Sequence, residues 1–323
     1  MTKAGSACMR HARQLVSASQ RQGGALVGTL GKTGQMDFSQ HFGQHALVVG
    51  ASTTIGEQFA RQLAARGMNV ILVARRKELL ERIAGEIRVA HGVEARVIAM
   101  DVGTDDAVER LGEAMSDVEV GLLVINANLH KVNLSHRMDR RTKLQMLRMN
   151  VEVPMLLADR FGALMVERKK GGIVFVNVLN SLSPIDIDGV FQGTKAFLRI
   201  FAESLWLEYR RHGVQVSTVL VNGIEGSESY ETKLSPTSRF VTKLIGGSMK
   251  PERIVRSALN QVARSRWICV PDYLFPVNHL GVWFLETFRS LGGRLAALFS
   301  SKFFDLLLNG DEVKAALEGD SRN

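Results

Sequence analysis

Short, unbroken apolar runs that alternate with amphipathic stretches leave this chain few folds to choose from. The runs fall at 45–49, 68–74, 95–100, 120–126, 173–178, 214–221 and 267–270. Between them, 57–67, 75–91, 104–115, 143–168, 191–212 and 251–264 carry apolar residues at helical spacing. A strand that is apolar at nearly every position is covered on both faces, as in a parallel sheet. Intervening helices supply the crossovers such a sheet needs. The expectation is an α/β fold: a Rossmann-type doubly wound parallel sheet of about seven strands, with helices on both faces and a C-terminal helical extension. In detail, Thr104 reads as an N-cap and Pro251 as the start of a helix. The stretch 143–168 reads as one helix containing Asn150. Phe197, Ile200, Phe201, Leu205 and Trp206 share one face of the helix after Phe191, and 222–248 reads as a polar loop.

Charge divides the chain more sharply than its formal net value of +9 suggests. No acidic residue precedes Asp37, whereas Lys3, Arg10, Arg13, Arg21 and Lys32 do. That composition fits an organellar transit peptide or a basic disordered tail. Elsewhere basic residues alternate with acids, as in RRKELLERIAGEIR, which is the pattern of a solvated helix face, and no nucleic-acid partner is expected. Cys8 and Cys269, the two cysteines, give neither a disulfide framework nor metal-ligand spacing, so the body of the chain reads as intracellular and metal-free. No run reaches the roughly 20 apolar residues of a membrane span. The Leu- and Phe-rich stretch 277–308, with Arg and Lys interspersed, reads either as a peripheral membrane contact or as amphipathic helices packed on the domain or on a partner subunit. The organisation is thus a basic appendage at 1–42, a Rossmann-type domain at 43–271 and an extension at 272–323.

Two features point to a dinucleotide. Gly50-Ala-Ser-Thr-Thr-Ile-Gly56 joins the first strand to its helix, where backbone N–H groups and a helix N-terminus can approach a pyrophosphate; a plain structural turn is the alternative. After the second strand stand Arg75 and Arg76, where an acid would bind a ribose 2′-hydroxyl and an Arg accommodates a 2′-phosphate, so NADP(H) is the expected cofactor. The alternative is the charged first turn of a helix.

The stretch KKGGIVFVNVLNSLSPIDIDGVFQGTK, 169–195, carries the clearest resemblance. Together with RGMNVILVARR, the strand ending at Asp101 and LEYRRHGVQVSTVL, it resembles the short-chain dehydrogenase/reductases across 44–264. Within that family the chain is most similar to the very-long-chain 3-oxoacyl-CoA reductase and 17β-hydroxysteroid dehydrogenase type 12 group. The resemblance implies cofactor contacts at Gly50, Ser52, Ile55, Gly56, Arg75, Arg76, Asp101, Val102, Asn126 and Lys195, with Asp101 meeting the adenine. It implies acyl-CoA or steroid-like carbonyl substrates, a homo- or hetero-dimer, and association with the endoplasmic-reticulum membrane, with the cytoplasm as the remaining option.

The catalytic group departs from the family pattern. Asn150 and Lys195 match the family's Asn and Lys, but its Tyr position is Phe191 and its Ser position is Val178. Thr54 stands where the family has Gly, Asn128 replaces another Gly, and the Pro-Gly turn after the sixth strand is Asn222-Gly223, with Gly226 at the nicotinamide-contacting Thr. A branch called inactive hydroxysteroid dehydrogenase-like proteins shares the Phe and is associated with mitochondria. Positioned acid–base catalysis is worth roughly 10²–10⁴-fold. The expectation is an NADP(H)-binding protein that is catalytically impaired. The alternatives are a reductase with a non-standard proton donor, or a non-catalytic subunit pairing with an active homologue. Among replacements, Asn177 faces away from Val178's side of the strand. Asn180, Ser181, Asp186 and Asp188 follow that strand. Tyr209 is too far along the helix, Tyr273 is remote, and Tyr230 is the one tyrosine expected to reach the site.

Overall fold

The computed structural model describes residues 37–182, 189–221, 223–224, 248–264 and 268–269. The basic segment before Asp37, Asp186, Asp188, Asn222, Gly226, Tyr230, Tyr273 and the extension 272–323 lie outside the described residues, as does the side chain of Asn180.

In chain order the elements are α1 (Phe38–Phe42), β1 (His45–Val49), α2 (Thr54–Ala64), β2 (Asn69–Ala74), α3 (Lys77–His91), β3 (Ala95–Ala99), α4 (Ala107–Ala114) and β4 (Val120–Ile125). Then come α5 (Arg140–Leu147), a π-helical turn (Arg148–Glu152), α6 (Val153–Glu167), β5 (Gly171–Val178), a 3₁₀ turn (Leu179–Leu182), α7 (Gly189–Tyr209) and β6 (Val214–Val221). Two short strands, β7 (Gly223–Ile224) and β8 (Ser248–Met249), pair with each other; α8 (Pro251–Ala263) and β9 (Ile268–Cys269) follow. The main sheet has seven strands in the order β3-β2-β1-β4-β5-β6-β9, all parallel.

Strand alternation sorts the core into two layers. Ala46 and Val48 of β1, Val70 and Leu72 of β2, and Leu122 and Val124 of β4 pack with α2, α3 and α8. Their neighbours Leu47, Val49, Ile71, Val73, Leu123 and Ile125 pack on the other face with α4, α6 and α7. Successive strand side chains point to opposite faces, so these strands must be apolar throughout.

Four local expectations shift. Phe38 and Phe42 are buried, and Phe42 lies against Gly172, where a Cβ would come within 2.9 Å of its ring; the compact unit starts at Phe38 rather than at residue 43. Helix α3 starts at Lys77, which leaves Arg75 and Arg76 in the link before it. Thr104 is not the N-cap of α4: its hydroxyl donates to the Asp101 carbonyl at 3.2 Å, and Asp106 stands at the cap position. Finally, 143–168 is not a single α-helix. Val153 N–H donates to the Arg148 carbonyl, five residues back, and Pro154 has no N–H to give the carbonyl of Asn150. The extra residue in that turn centres on Asn150, and such π-bulges recur at functional sites.

Candidate functional site

The C-terminal ends of β1, β4 and β5 gather the site. Gly50 has φ of +88°, and a Cβ there would stand 2.6 Å from the Ala127 nitrogen. A Cβ on Gly56 would stand 2.1 Å from the Gly50 carbonyl oxygen. Neither position admits a side chain, and Gly50 needs the left-handed backbone that glycine adopts freely. Thr53 binds the turn together: its hydroxyl donates to the Gly50 carbonyl at 3.2 Å and accepts from the Gly56 N–H at 3.2 Å and the Asn126 amide at 2.7 Å. One donor and two acceptor positions are all a hydroxyl has. Asn126 also donates to the Gly50 carbonyl at 2.9 Å, so the end of β4 is tied to the turn. Thr53 was not anticipated; its position one residue before an apolar helix was the available signal. Ile55 and Gly56 are buried in the first turn of α2, and Thr54, its first residue, is half-buried.

Beside this turn, the Arg76 guanidinium lies over Ser52, donating to its backbone carbonyl and, at 3.2 Å, to its hydroxyl. Arg75 is exposed and reaches Asp101 at 3.9 Å, a separation worth little at a surface. Asp101 accepts from the Gly103 N–H at 2.9 Å, and Val102 is buried behind it. The helix N-terminus, the close backbone approach at Gly50 and the cation over Ser52 fit a dinucleotide whose ribose carries a phosphate.

The second half of the site is a small apolar cluster. Phe191, Met138 and Met146 are buried in it, with Leu129, Val178 and Val190 packed against them. Val178 and Phe191 therefore belong to one cluster, and neither carries a polar atom on its side chain. Asn150 is 1% exposed and fully engaged: it accepts from the Leu129 N–H at 2.8 Å and donates to the Leu129 carbonyl at 2.8 Å and the Thr194 hydroxyl at 3.2 Å. It clamps the loop after β4 to α7. Asn177, on the other side of β5 from Val178, donates to the Lys195 carbonyl at 3.0 Å and so sets the height of α7 against the strand.

Lys195 follows Phe191 by one helical turn and is 2% exposed. Its Nζ lies 5.4 Å from the Phe191 ring centroid, and burial pushes its pKa down to about 8. No carboxylate or other hydrogen-bonding partner faces it among the described residues. Ser181 is also buried, and its hydroxyl has no partner among the described residues. Tyr209 is half-exposed at the far end of α7 and beside Gly162, away from this cluster.

A second residue was also not anticipated. His130 lies on the loop that Asn150 clamps, and its ring stacks on Phe191 with centroids 4.0 Å apart and planes 25° apart. Its position two residues past Asn128, in the loop at the end of β4, was the available signal.

The chain matches the family described as short chain dehydrogenase over residues 44–234. It is 29% identical over 229 residues to the 7beta-hydroxysteroid dehydrogenase of Clostridium sardiniense, covering 71% of this chain and 86% of that protein. It is 29% identical over 224 residues to the very-long-chain 3-oxoacyl-CoA reductase of Homo sapiens, covering 68% of this chain and 69% of that one. A solved metagenomic short-chain oxidoreductase in complex with NADP superposes with a TM-score of 0.59 at 27% identity, covering 72% of this chain and 99% of the other.

Proposed function

The chain belongs to the short-chain dehydrogenase family, and from that premise we propose that it binds NADP(H) while lacking the phenol and hydroxyl that drive rapid carbonyl reduction in its relatives. The observation that carries this reading is the contrast between the two halves of the site. The cofactor half keeps the outer glycines of its turn, Gly50 and Gly56, the Arg76–Ser52 contact and a buried lysine. The proton-transfer half is an apolar cluster built on Phe191 and Val178. A nicotinamide cofactor supplies hydride when bound. This chain's residues hold its phosphates at the turn, its 2′-phosphate at Ser52 and Arg76, and its nicotinamide ribose at Lys195.

Relatives named for hydroxysteroids and 3-oxoacyl-CoA support a steroid-like or fatty-acyl carbonyl as the ligand beside the cofactor. Pairing with a second copy or with an active homologue is read from α7, where Phe197, Ile200 and Leu207 are exposed, and from exposed Leu164 on α6. Burial divides the face expected for α7: Leu205 packs inward, whereas Phe197 and Ile200 face out. No described helix is long and apolar enough to cross a membrane. The reticulum and mitochondrial readings rest on resemblance and on the basic N-terminal composition.

The test is cofactor preference. Arg76→Asp removes the cation over Ser52 and sets a carboxylate against the 2′-phosphate. A hydrogen bond to a charged group is worth about 1.5–3 kcal/mol, so NADPH affinity should fall roughly 10- to 100-fold. NADH affinity should hold or rise. Equal losses for both cofactors would remove Arg76 from the 2′-phosphate site.

A further inference from the structure

We propose that His130 is the proton donor for whatever carbonyl reduction this site performs, taking over at the face of Phe191 the role that a tyrosine phenol has in the family. The inference rests on the cofactor reading above and names the group that completes the site.

Three observations converge on it. First, the imidazole is stacked face to face on Phe191, at 4.0 Å between centroids, so it sits on the ring that stands at the tyrosine position. Second, the loop bearing it is fixed. Asn150 makes paired hydrogen bonds of 2.8 Å to the N–H and carbonyl of Leu129, the residue immediately before His130. Asn150 is itself held in the π-helical turn and bonded to Thr194, whose hydroxyl donates to the Phe191 carbonyl at 2.7 Å. A network that begins at the loop ends at the residue the imidazole covers. Such support from the surrounding shell is what positions a reacting group. Third, the imidazole has a route back to solvent. The cluster around Phe191 is apolar, and His130 is exposed on its solvent side, where it can regain a proton from water. An imidazole is the side chain that ordinarily exchanges a proton near neutral pH.

The step balances without another reagent beyond a dihydronicotinamide. The carbonyl carbon accepts the hydride, and the C=O π pair moves onto oxygen. The imidazolium N–H bond breaks as the O–H bond forms, leaving an alcohol, the oxidised nicotinamide and neutral His130, which water reprotonates. Lys131 follows the imidazole in the chain, and Lys195 of α7 lies 5.4 Å from the centroid of the Phe191 ring it covers.

The experiment uses the full chain and two readouts. The first needs no cofactor: ring-labelled histidine NMR, with His130 assigned by its loss in His130→Phe. Its resonance should carry the ring-current shift of a stacked partner, lose it in Phe191→Leu, and move when a 3-oxoacyl-CoA or a 7-oxosteroid is added. The second is NADPH-dependent reduction of the same probes. His130→Phe preserves an aromatic stack without a transferable proton, and His130→Gln preserves polarity without an imidazole. Both should lower kcat at least tenfold, on a scale where positioned acid–base groups contribute roughly 10²–10⁴-fold. Unchanged kcat in His130→Phe, a His130 resonance indifferent to both probes, or no reduction by protein that demonstrably binds NADPH would each overturn the proposal and leave the cofactor reading standing. Failure of the unmodified protein to bind NADPH would overturn both.

Discussion

Replacing Phe191 by Tyr and Val178 by Ser together should raise NADPH-dependent ketone reduction by about two orders of magnitude, the lower end of what positioned acid–base catalysis contributes. The two positions belong to one cluster, so the phenol and the hydroxyl would be introduced at the same apolar site. Lys195 is one turn from position 191, with its ammonium 5.4 Å from the ring, and is placed to lower the pKa of a phenol introduced there. Either substitution alone should give less than half of the logarithmic gain, because groups that act as a unit are not additive. The change has a stability cost, since Val178→Ser removes apolar contact from Met138, Met146 and Phe191; about 1 kcal/mol is expected, near the value of a buried methylene. The measurement is kcat and KM for a 3-oxoacyl-CoA and a 7-oxosteroid in all four proteins. An unmodified protein already as fast as the double variant would end the reading of a depleted site.

The second large effect concerns Lys195. Its pKa falls from 10.5 in the unfolded chain to about 8 in the fold because burial disfavours the ammonium. Below about pH 8 both states are charged, and the whole burial penalty, about 3 kcal/mol, weighs against folding. Between about 8 and 10.5 the unfolded chain binds more protons than the native one, so this group makes stability rise with pH. Above that window both states are neutral and the penalty is gone. Lys195→Met should therefore be more stable than the unmodified protein at pH 7, by several degrees in Tm, and the gap should narrow towards pH 10. The same variant should bind NADPH more weakly. A residue that costs stability and supports a ligand is a functional residue; one held for structure would lose stability at both pH values.

The strands and their order of burial were legible because a two-sided parallel sheet forces apolar residues at nearly every strand position. That is why the limits of β1 could be read directly, and why β2, β3 and β4 were off by a residue. Less legible was whatever depends on a single missing hydrogen bond. Pro154 lies inside a helical pattern, but the π-helical turn it permits needs the Val153–Arg148 bond to be seen. Thr104 had the chemistry of a cap, yet the turn after Asp101 took its hydroxyl first. In the site, Phe191, Val178, Asn150 and Lys195 could be aligned by spacing. Sequence could not bring His130 onto Phe191, since that contact depends on the path of a loop whose direction Asn150 sets. Thr53 was overlooked for a related reason: its three hydrogen bonds join β1, α2 and β4, segments whose adjacency only the sheet order supplies.

The central claim is that the cofactor half of the site is kept better than the proton-transfer half and still binds NADP(H), and nicotinamide fluorescence of the unmodified full chain titrated with NADPH and with NADH tests it most directly. Saturable NADPH binding with one site per chain, at least tenfold tighter than NADH, is the result this account predicts, since a single charged contact at Ser52 and Arg76 is worth about that much. No binding up to millimolar NADPH, or equal affinity for the two cofactors, would contradict it.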